Sequence, residues 1–453
     1  MQRRRFIKDS LAGVPLLCLA PALIAGCGKE ESLRDPNGRV VAVIGAGMAG
    51  LAAAKKLKER GFVVIVLEAQ EKVGGRVRTD RSLGVAFDEG ASWIHGPDGN
   101  PITGLASQAG ASTYLTADDS VEVHDMTGAA YSDDVLTAAE SAFTSALNTV
   151  RAAGTTTDSF EAVFNARYPT QAGDRLWKYM LSAYLEFNTG GDISALSSKY
   201  FDDDEEYDGE DVIITNGYDK VTDHLAKGLD IRRNTRVSSI EYAGAKVNII
   251  ANGNTIAADY AIITVPLGVL KNRVISFAPA LPAAKTNAID ATGMGNVNKF
   301  LLIWDAAFWD TNLQYIGYTP DVKGKFNYFL NLKKFTPANG LMTFAFGNYA
   351  TATESMTDAE IINDIMGHLR AIYGSNIPNP TNFLRTRWGQ NPNSYGAYSF
   401  AAKGSVSSDF DPLAAVVDNK LFFAGEHTSR EYRGTVHGAY LSGLREAERI
   451  IRL

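Results

Sequence analysis

The sequence predicts an α/β fold in which two domains are interleaved along the chain. At 453 residues the chain exceeds the length at which one hydrophobic core usually stops growing, so two domains are expected. A glycine-rich turn at residues 45–50 joins a short apolar β-branched run to a helical pattern, which is typical of a buried parallel strand followed by its helix. Strand patterns resume after a helix-rich middle segment, and a strand followed by a long helix closes the chain. This order favours a parallel sheet covered by helices, with a mixed domain inserted into it.

Composition excludes some classes of protein and leaves others open. With 45% hydrophobic and 21% charged residues, the chain has the composition of a globular protein with a sizeable core. The formal net charge of -7, with no stripe of lysine and arginine beyond the extreme N-terminus, argues against a nucleic-acid partner. The same charge attracts a cationic substrate, although a mild acidic excess also simply keeps many proteins soluble.

The first 26 residues have the pattern of a signal peptide. Basic residues at positions 3, 4, 5 and 8 precede an apolar run over residues 11–26 that is too short to span a bilayer comfortably. The segment from Arg3 to Lys8 resembles a twin-arginine export signal. We therefore expect export to the periplasm or the cell surface.

The end of this segment resembles a lipobox. Small residues at positions 25 and 26 precede Cys27, whose sulfur would carry the lipid, and residues 27–38 read as a polar tether. The alternative is an ordinary signal peptide or an uncleaved anchor in which Cys27 is incidental. On the lipobox interpretation the membrane is reached through a lipid anchor only. Cys18 would then leave with the signal, so no cysteine pair remains for a structural disulfide.

The glycine-rich turn lies in a complete strand–helix–strand unit. Strands are predicted over residues 40–44 and 62–67, with a helix over 48–60 between them. Gly45 makes the tight turn, Gly47 admits a pyrophosphate to the backbone, and Gly50 lets helix pack on strand. Glu68, at the end of the second strand, is the expected carboxylate for ribose hydroxyls and disfavours a 2′-phosphate. The unit therefore predicts a Rossmann-like dinucleotide site.

Further elements follow from periodicity. Residues 111–204 read as an inserted helical segment, and helices are also predicted over 358–373 and 436–451. Strands are predicted over residues 211–215, 236–242, 246–250, 260–265, 297–304, 341–346 and 421–424. We assign residues 39–110, 208–275 and 388–453 to the dinucleotide-binding domain. Residues 111–207 and 276–387 then form an α+β substrate domain with a mixed or antiparallel sheet and helices.

Several separated motifs resemble the flavin-containing amine oxidase family, which includes monoamine oxidases, polyamine oxidases and lysine-specific histone demethylases. The likeness is greatest to the polyamine oxidases and the demethylases, and it runs from Val40 to the C-terminus. The motifs that carry it are Gly74-Gly75-Arg76, Asp88 to Gly96 with Gly99 to Ile102, Gly295 to Lys299, Phe423 to Thr428 and Thr435 to Ala439.

The resemblance implies a two-dinucleotide FAD-binding domain. Since monoamine oxidases attach flavin through a cysteine near the C-terminus, and this chain has none there, the FAD should be non-covalent. No metal site is predicted. The residues that would bind FAD are Gly45, Gly47, Gly50, Glu68, Gly75, Arg76, Ala91, Ser92, Trp93, Val237, Gly425, Glu426, Thr435 and Val436.

Three residues are catalytic candidates. The resemblance implies that Lys299 holds a water beside the flavin and supports its reoxidation, whereas on pattern alone it is a strand-end lysine in water. His95, in Trp-Ile-His-Gly, either positions or deprotonates the substrate nitrogen or is a structural histidine. Tyr398 resembles an aromatic wall of the substrate path that tolerates a cation, and is otherwise core.

Substrate-binding candidates are His95, Glu186, Tyr398, Tyr432 and Thr435. Glu186 corresponds loosely to an acidic residue near the tunnel of plant polyamine oxidases. The acidic run over residues 202–211 either attracts a polycation or is a solvated loop.

The resemblance implies an FAD-dependent amine oxidase acting on polyamines, which oxidises the amine to an imine and then an aldehyde while O2 becomes H2O2. Thr435 stands where monoamine oxidases place a second aromatic. The loop at residues 90–93 lacks the arginine that amino-acid oxidases use for a carboxylate. The alternatives are a monoamine or L-amino-acid oxidase on the same scaffold, or a surface protein that retains FAD without amine oxidase activity.

Overall fold

The computed structural model describes Pro36 and residues 38–453. The predicted signal peptide, Cys27 and nearly all of the tether lie outside the described residues. Within the described part of the chain, no helix combines the length and the apolar character needed to cross a membrane.

Strands and helices alternate along the described chain. The strands are β1 Val40–Ile44, β2 Val63–Leu67, β3 Thr79–Asp80, β4 Phe87–Asp88, β5 Trp93–Ile94, β6 Thr113–Leu115, β7 Val121–His124, β8 Val212–Ile214, β9 Asp230–Arg232, β10 Val237–Glu241, β11 Val247–Ala251, β12 Asn254–Ala258, β13 Tyr260–Ile263, β14 Ser276–Ala278, β15 Gly293–Met294, β16 Val297–Ile303, β17 Tyr315–Tyr318, β18 Lys325–Asn331, β19 Gly340–Phe346, β20 Asn382–Arg385, β21 Ser399–Phe400 and β22 Leu421–Phe423. The α-helices are α1 Met48–Glu59, α2 Pro101–Gln108, α3 Asp133–Ala153, α4 Phe160–Arg167, α5 Pro169–Gly173, α6 Arg175–Met180, α7 Phe187–Thr189, α8 Asp219–Ala226, α9 Leu267–Lys271, α10 Ala283–Ala291, α11 Gly347–Thr353, α12 Asp358–Tyr373, α13 Phe410–Ala414 and α14 Val436–Ile451.

A five-stranded parallel sheet forms the dinucleotide-binding part, in the order β22-β13-β1-β2-β9. Val41, Ala42 and Val43 are fully buried, as a strand covered on both faces requires. Helices α1 and α14 pack together because Gly443 brings its backbone against Ala49, leaving no space for a Cβ. All the strands end at one edge, where α/β sheets bind their ligands.

A six-stranded mixed sheet forms the second layer, in the order β20-β16-β19-β18-β17-β7. Its pairs are antiparallel except for β17 with β7. One face packs on the helical insertion and the other on α12, so β16 and β19 are buried nearly throughout. The predicted α/β class with an α+β second part is confirmed, while the domain boundaries stay a prediction.

The helical insertion differs from its prediction in two places. Strands β6 and β7 lie inside the segment expected to be helical, because they pair with distant β8 and β17. A π-helical turn over Leu181–Glu186 joins α6 to α7. Strands β17, β18 and β20 were not predicted at all.

A small antiparallel sheet carries the loop that faces the site. Its order is β5-β8-β6, and β5 pairs with β8 in the register Trp93 with Ile213 and Ile94 with Val212. This pairing fixes residues 92–95 between the two larger sheets.

Candidate active site

One continuous pocket runs from the ends of the parallel strands to the face of the mixed sheet. It brings together most of the residues that the sequence singled out. Those that line it are Gly45, Gly47, Glu68, Gly75, Arg76, Ala91, Ser92, Trp93, His95, Val237, Lys299, Tyr398, Gly425, Glu426, Thr435 and Val436.

The glycines at one end leave open space beside a helix N-terminus. A Cβ on Gly47 or Gly75 would have no protein atom within 3.5 Å outside its chain neighbours, so it would project into the pocket. Gly45 needs its positive φ of +107° to make the turn. Gly50 does not line the pocket, and its Cβ would stand 2.0 Å from the Gly45 carbonyl oxygen. The arrangement fits a pyrophosphate on the first turn of α1.

Glu68 lies at the end of β2, as predicted for a ribose ligand. Its Oε2 accepts a hydrogen bond from the Ala46 N–H at 2.7 Å, and its Oε1 accepts one from the Gln70 N–H at 2.9 Å. These bonds hold the carboxylate at the pocket edge, although burial raises the pKa of Glu68. Val237, at the start of β10, lines the same end.

An ion pair closes the middle of the pocket. The Arg76 guanidinium donates to Glu426 Oε1 at 2.7 Å and to the Ala397 carbonyl at 2.8 Å. Glu426 Oε2 accepts from the Ser399 hydroxyl at 2.6 Å and from the Gly434 N–H at 3.0 Å. Burial opposes ionisation of Glu426, but Arg76 outweighs it and lowers the pKa of the carboxyl. Three distant segments therefore converge on one charged pair.

Lys299 lies on the pocket face of β16 and is only 6% exposed. Its ammonium donates to the carbonyl oxygen of Asp88 at 3.0 Å, to Ser92 Oγ at 2.5 Å and to the Gly90 carbonyl. Burial lowers the pKa of Lys299 to about 8, against the opposing effect of the Asp88 carboxylate. The alternative of a strand-end lysine in water is wrong.

His95 lies in the same pocket and forms a pair that the sequence did not indicate. Its Nδ1 is 2.6 Å from Asp211 Oδ2, and Asp211 Oδ1 accepts the Gly96 N–H at 3.0 Å. Asp211, read from the sequence as part of an acidic run, is instead a structural partner of a pocket residue.

Aromatic rings wall the Lys299 end. The Lys299 ammonium lies 5.6 Å from the ring centre of Trp93 and 5.9 Å from that of Phe344. Phe187 meets Trp93 edge to face at 5.9 Å, and the Tyr398 hydroxyl donates to the Phe187 carbonyl at 2.5 Å. Such walls suit a hydrocarbon chain that carries positive charge.

Sequence analysis missed three ring-bearing residues of this pocket. Phe344 is the strand partner of Lys299, a pairing between distant segments that no local pattern reveals. Phe187 follows the π-helical turn. Trp388 donates from Nε1 to the Glu89 carbonyl at 3.0 Å, and its position in a loop rich in asparagine and glycine was the available signal.

Two predicted substrate residues do not reach the pocket. Glu186 is fully buried, and its Oε1 accepts from Lys323 and from the Ile193 N–H at 3.2 Å. Tyr432 stacks on Tyr207 with ring centres 5.2 Å apart. Thr435 does line the pocket, and it also caps α14 by accepting the Gly438 N–H at 2.9 Å.

Taken in order along the pocket, these groups suit FAD. Glu68 and Val237 would hold its adenosine part, the glycine turn and Arg76 its pyrophosphate, and the loop from Ala91 to Trp93 its ring. Bound there, FAD supplies the two-electron acceptor that amine oxidation needs.

Comparisons with known proteins agree with this assignment. Residues 48–451 match the family described as flavin containing amine oxidoreductase. The chain is 36% identical over 444 residues to polyamine oxidase 2 of Arabidopsis thaliana, covering 93% of this chain and 89% of the relative. It is 36% identical over 426 residues to probable polyamine oxidase 4 of the same plant, covering 89% and 85%.

Solved structures give the same fold. A putrescine oxidase bound to putrescine superposes with a TM-score of 0.75 at 21% identity, covering 92% of this chain and 99% of that one. The predicted family and the predicted FAD cofactor are confirmed. The chain belongs to the flavin containing amine oxidoreductase family and is an FAD-dependent amine oxidoreductase.

Proposed function

We propose that this enzyme oxidises polyamines with O2 as the electron acceptor, giving an aldehyde, a shorter amine and H2O2. The observation that carries the proposal is the Lys299 end of the pocket, where aromatic rings meet the His95–Asp211 pair. The rings accept the methylene chain of a polyamine and tolerate its charge. The relatives named polyamine oxidases support the same substrate class.

An amino-acid substrate fits less well. The pocket arginines among the described residues are Arg76 and Arg236. Arg76 is engaged with Glu426, and Arg236 donates to Asn393 Oδ1 at 2.6 Å. Neither is left at the aromatic end to hold a substrate carboxylate.

A small monoamine is the other candidate on this scaffold. Thr435 lines the pocket where a second facing aromatic would complete a cage around one nitrogen. Without that ring the site favours a long amine held along its length.

The protein's part in the reaction is binding and orientation. The rings of Trp93, Phe187 and Tyr398 position the amine carbon, and His95 accepts a hydrogen bond or proton from the substrate nitrogen. Water then hydrolyses the imine to aldehyde and amine.

The test compares kcat/KM for spermine, spermidine, N-acetylated polyamines, benzylamine and amino acids, with O2 uptake and H2O2 measured together. The proposal expects the polyamines to exceed the others by at least about 10-fold, which is about 1.4 kcal/mol of transition-state discrimination. Equal or better turnover of benzylamine or an amino acid would reject the substrate class. No turnover of any amine would favour a surface protein that retains FAD.

We also propose that the FAD is held non-covalently, since the cysteines of the chain are Cys18 and Cys27. Acid precipitation should therefore release all the flavin into the supernatant. Flavin that stays in the pellet would show a covalent bond to another residue.

We propose further that the enzyme is exported by a twin-arginine signal and anchored through a lipid on Cys27. Cells that express the full chain should place it in the membrane fraction, and Cys27→Ala should move it to the soluble fraction. Replacing Arg3 and Arg4 by lysine should retain it in the cytoplasm, whereas unchanged location would contradict the export route.

A further inference from the structure

His95 and Asp211 are brought together by the register of the small sheet. β5 ends at Ile94 and β8 begins at Val212, and these two residues are partners. Continuing the antiparallel register by one residue places His95 opposite Asp211. The pair is therefore built by strand pairing and is not a chance contact between loops.

The alternation of side chains along β5 turns His95 toward the catalytic end. Residues two apart on a strand point to the same face. His95 thus shares a face with Trp93, whose ring lies 5.6 Å from the Lys299 ammonium. Ser92, next along the loop, accepts a hydrogen bond from Lys299 at 2.5 Å.

The Asp211 carboxylate is committed to this segment. Oδ2 meets His95 Nδ1 at 2.6 Å and Oδ1 accepts the Gly96 N–H at 3.0 Å, so both oxygens hold the chain just after β5. The Asp211 carbonyl accepts from the Thr116 N–H at 3.0 Å, which ties the pair to β6.

We propose that Asp211 is a positioning residue for the amine substrate, acting through His95. An ionised carboxylate accepts, so Nδ1 must carry a proton and the lone pair of the neutral ring lies on Nε2. Within the described residues Nε2 has no protein partner, and it is the ring nitrogen left for a ligand in the pocket.

In that tautomer Nε2 accepts the proton of the substrate ammonium. One N–H bond of the ammonium breaks and one N–H bond forms on His95, while Asp211 stays ionised and stabilises the imidazolium. The amine keeps its electron pair, which oxidation of the adjacent carbon requires. The proposal rests on the proposed amine oxidase function and adds the residue that orients its base.

Flavin reduction under anaerobic conditions measures the contribution of Asp211. Asp211→Asn should lower the limiting rate of reduction by a polyamine by at least about 10-fold, the low end of what a positioned base contributes, with an apparent Kd changed less than about threefold. The matched control is Glu210→Gln, which removes an exposed charge one residue away and should change the rate less than about twofold.

A double variant separates positioning from folding. His95→Gln combined with Asp211→Asn should reduce flavin no more slowly than His95→Gln alone, since the carboxylate acts through the ring. A further tenfold loss in the double variant, or equal rates for Asp211→Asn and Glu210→Gln, would overturn the proposal.

The histidine tautomer gives a readout independent of turnover. In the wild-type holoenzyme labelled with 15N-histidine, the signal lost in His95→Gln should show a protonated Nδ1 and a lone pair on Nε2 at pH 9. A signal with the proton on Nε2 would overturn the proposal even if Asp211→Asn cannot retain FAD. If no amine reduces the wild-type flavin, the proposed function fails while this spectrum still decides the role of Asp211.

Discussion

At the residue scale, Lys299 shows how burial sets chemistry. Three protein acceptors hold its ammonium between two aromatic rings, and burial lowers its pKa to about 8. Asp88, whose own pKa burial raises, lies close enough to oppose that effect. The lysine therefore changes charge in a pH range where the enzyme can be studied.

Lys299→Met should slow reoxidation of the reduced enzyme by O2. O2 gains negative charge as it takes up electrons, and a cation in a dry pocket stabilises that charge by an amount worth about 10²–10³ in rate for one lost donor. The wild-type rate should fall as pH rises through about 8, because the ammonium loses its proton there, and the variant should lack this step.

Stopped-flow mixing of the reduced enzyme with O2 measures this rate. Lys325→Met is the control, since Lys325 pairs with Asp364 at 3.2 Å away from the pocket. If Lys299→Met reoxidises at the wild-type rate and keeps the pH step, Lys299 has no part in the reaction with O2.

At the element scale, the turn between β1 and α1 depends on the absence of side chains. Gly50 lies one helical turn from Gly45, whose carbonyl oxygen occupies the place that a Cβ would take, at 2.0 Å. The strand and the helix cannot separate to relieve this contact without moving the N-terminus of α1 away from the pocket.

Gly50→Ala should lower both stability and FAD content. Overpacking of this kind costs about 1–3 kcal/mol, and each kcal/mol lowers the Tm by about 2–4 °C in a domain of this size. Gly367→Ala in α12 is the control, because its Cβ meets open space and alanine favours a helix. Equal Tm and flavin absorbance in both variants would show that the close approach is not needed.

Elements with a local signal were predictable and elements made by distant pairing were not. The β-branched run Val40–Ile44 and helix α14 appear with the predicted bounds, since periodicity and glycine turns encode them locally. β17 and β18 were missed because their pairing partners, not their own patterns, define them. The motif around Lys299 located the site, while Phe344 and Asp211 enter it only through strand register.

The same reason explains the misplaced Glu186. Its helical segment was predicted, but the sequence did not show that Lys323, far along the chain, would engage its carboxylate. A buried carboxylate is normally paired, so the partner determines whether it faces a substrate.

At the scale of the whole molecule, a net charge of -7 should assist a polycation. We expect kcat/KM for spermine to fall several-fold between about 0.01 and 0.15 M salt, as the Debye length shrinks from about 30 to 8 Å. A neutral or singly charged amine should show a smaller fall. Equal salt dependence for all amines would contradict electrostatic attraction of the substrate.

The measurement that tests the central claim most directly is anaerobic mixing of the signal-less holoenzyme with single amines, followed by flavin absorbance. The account predicts rapid bleaching by spermine or spermidine, and much slower bleaching by benzylamine and amino acids. Bleaching by the small amines alone, with the polyamines inert, would contradict it.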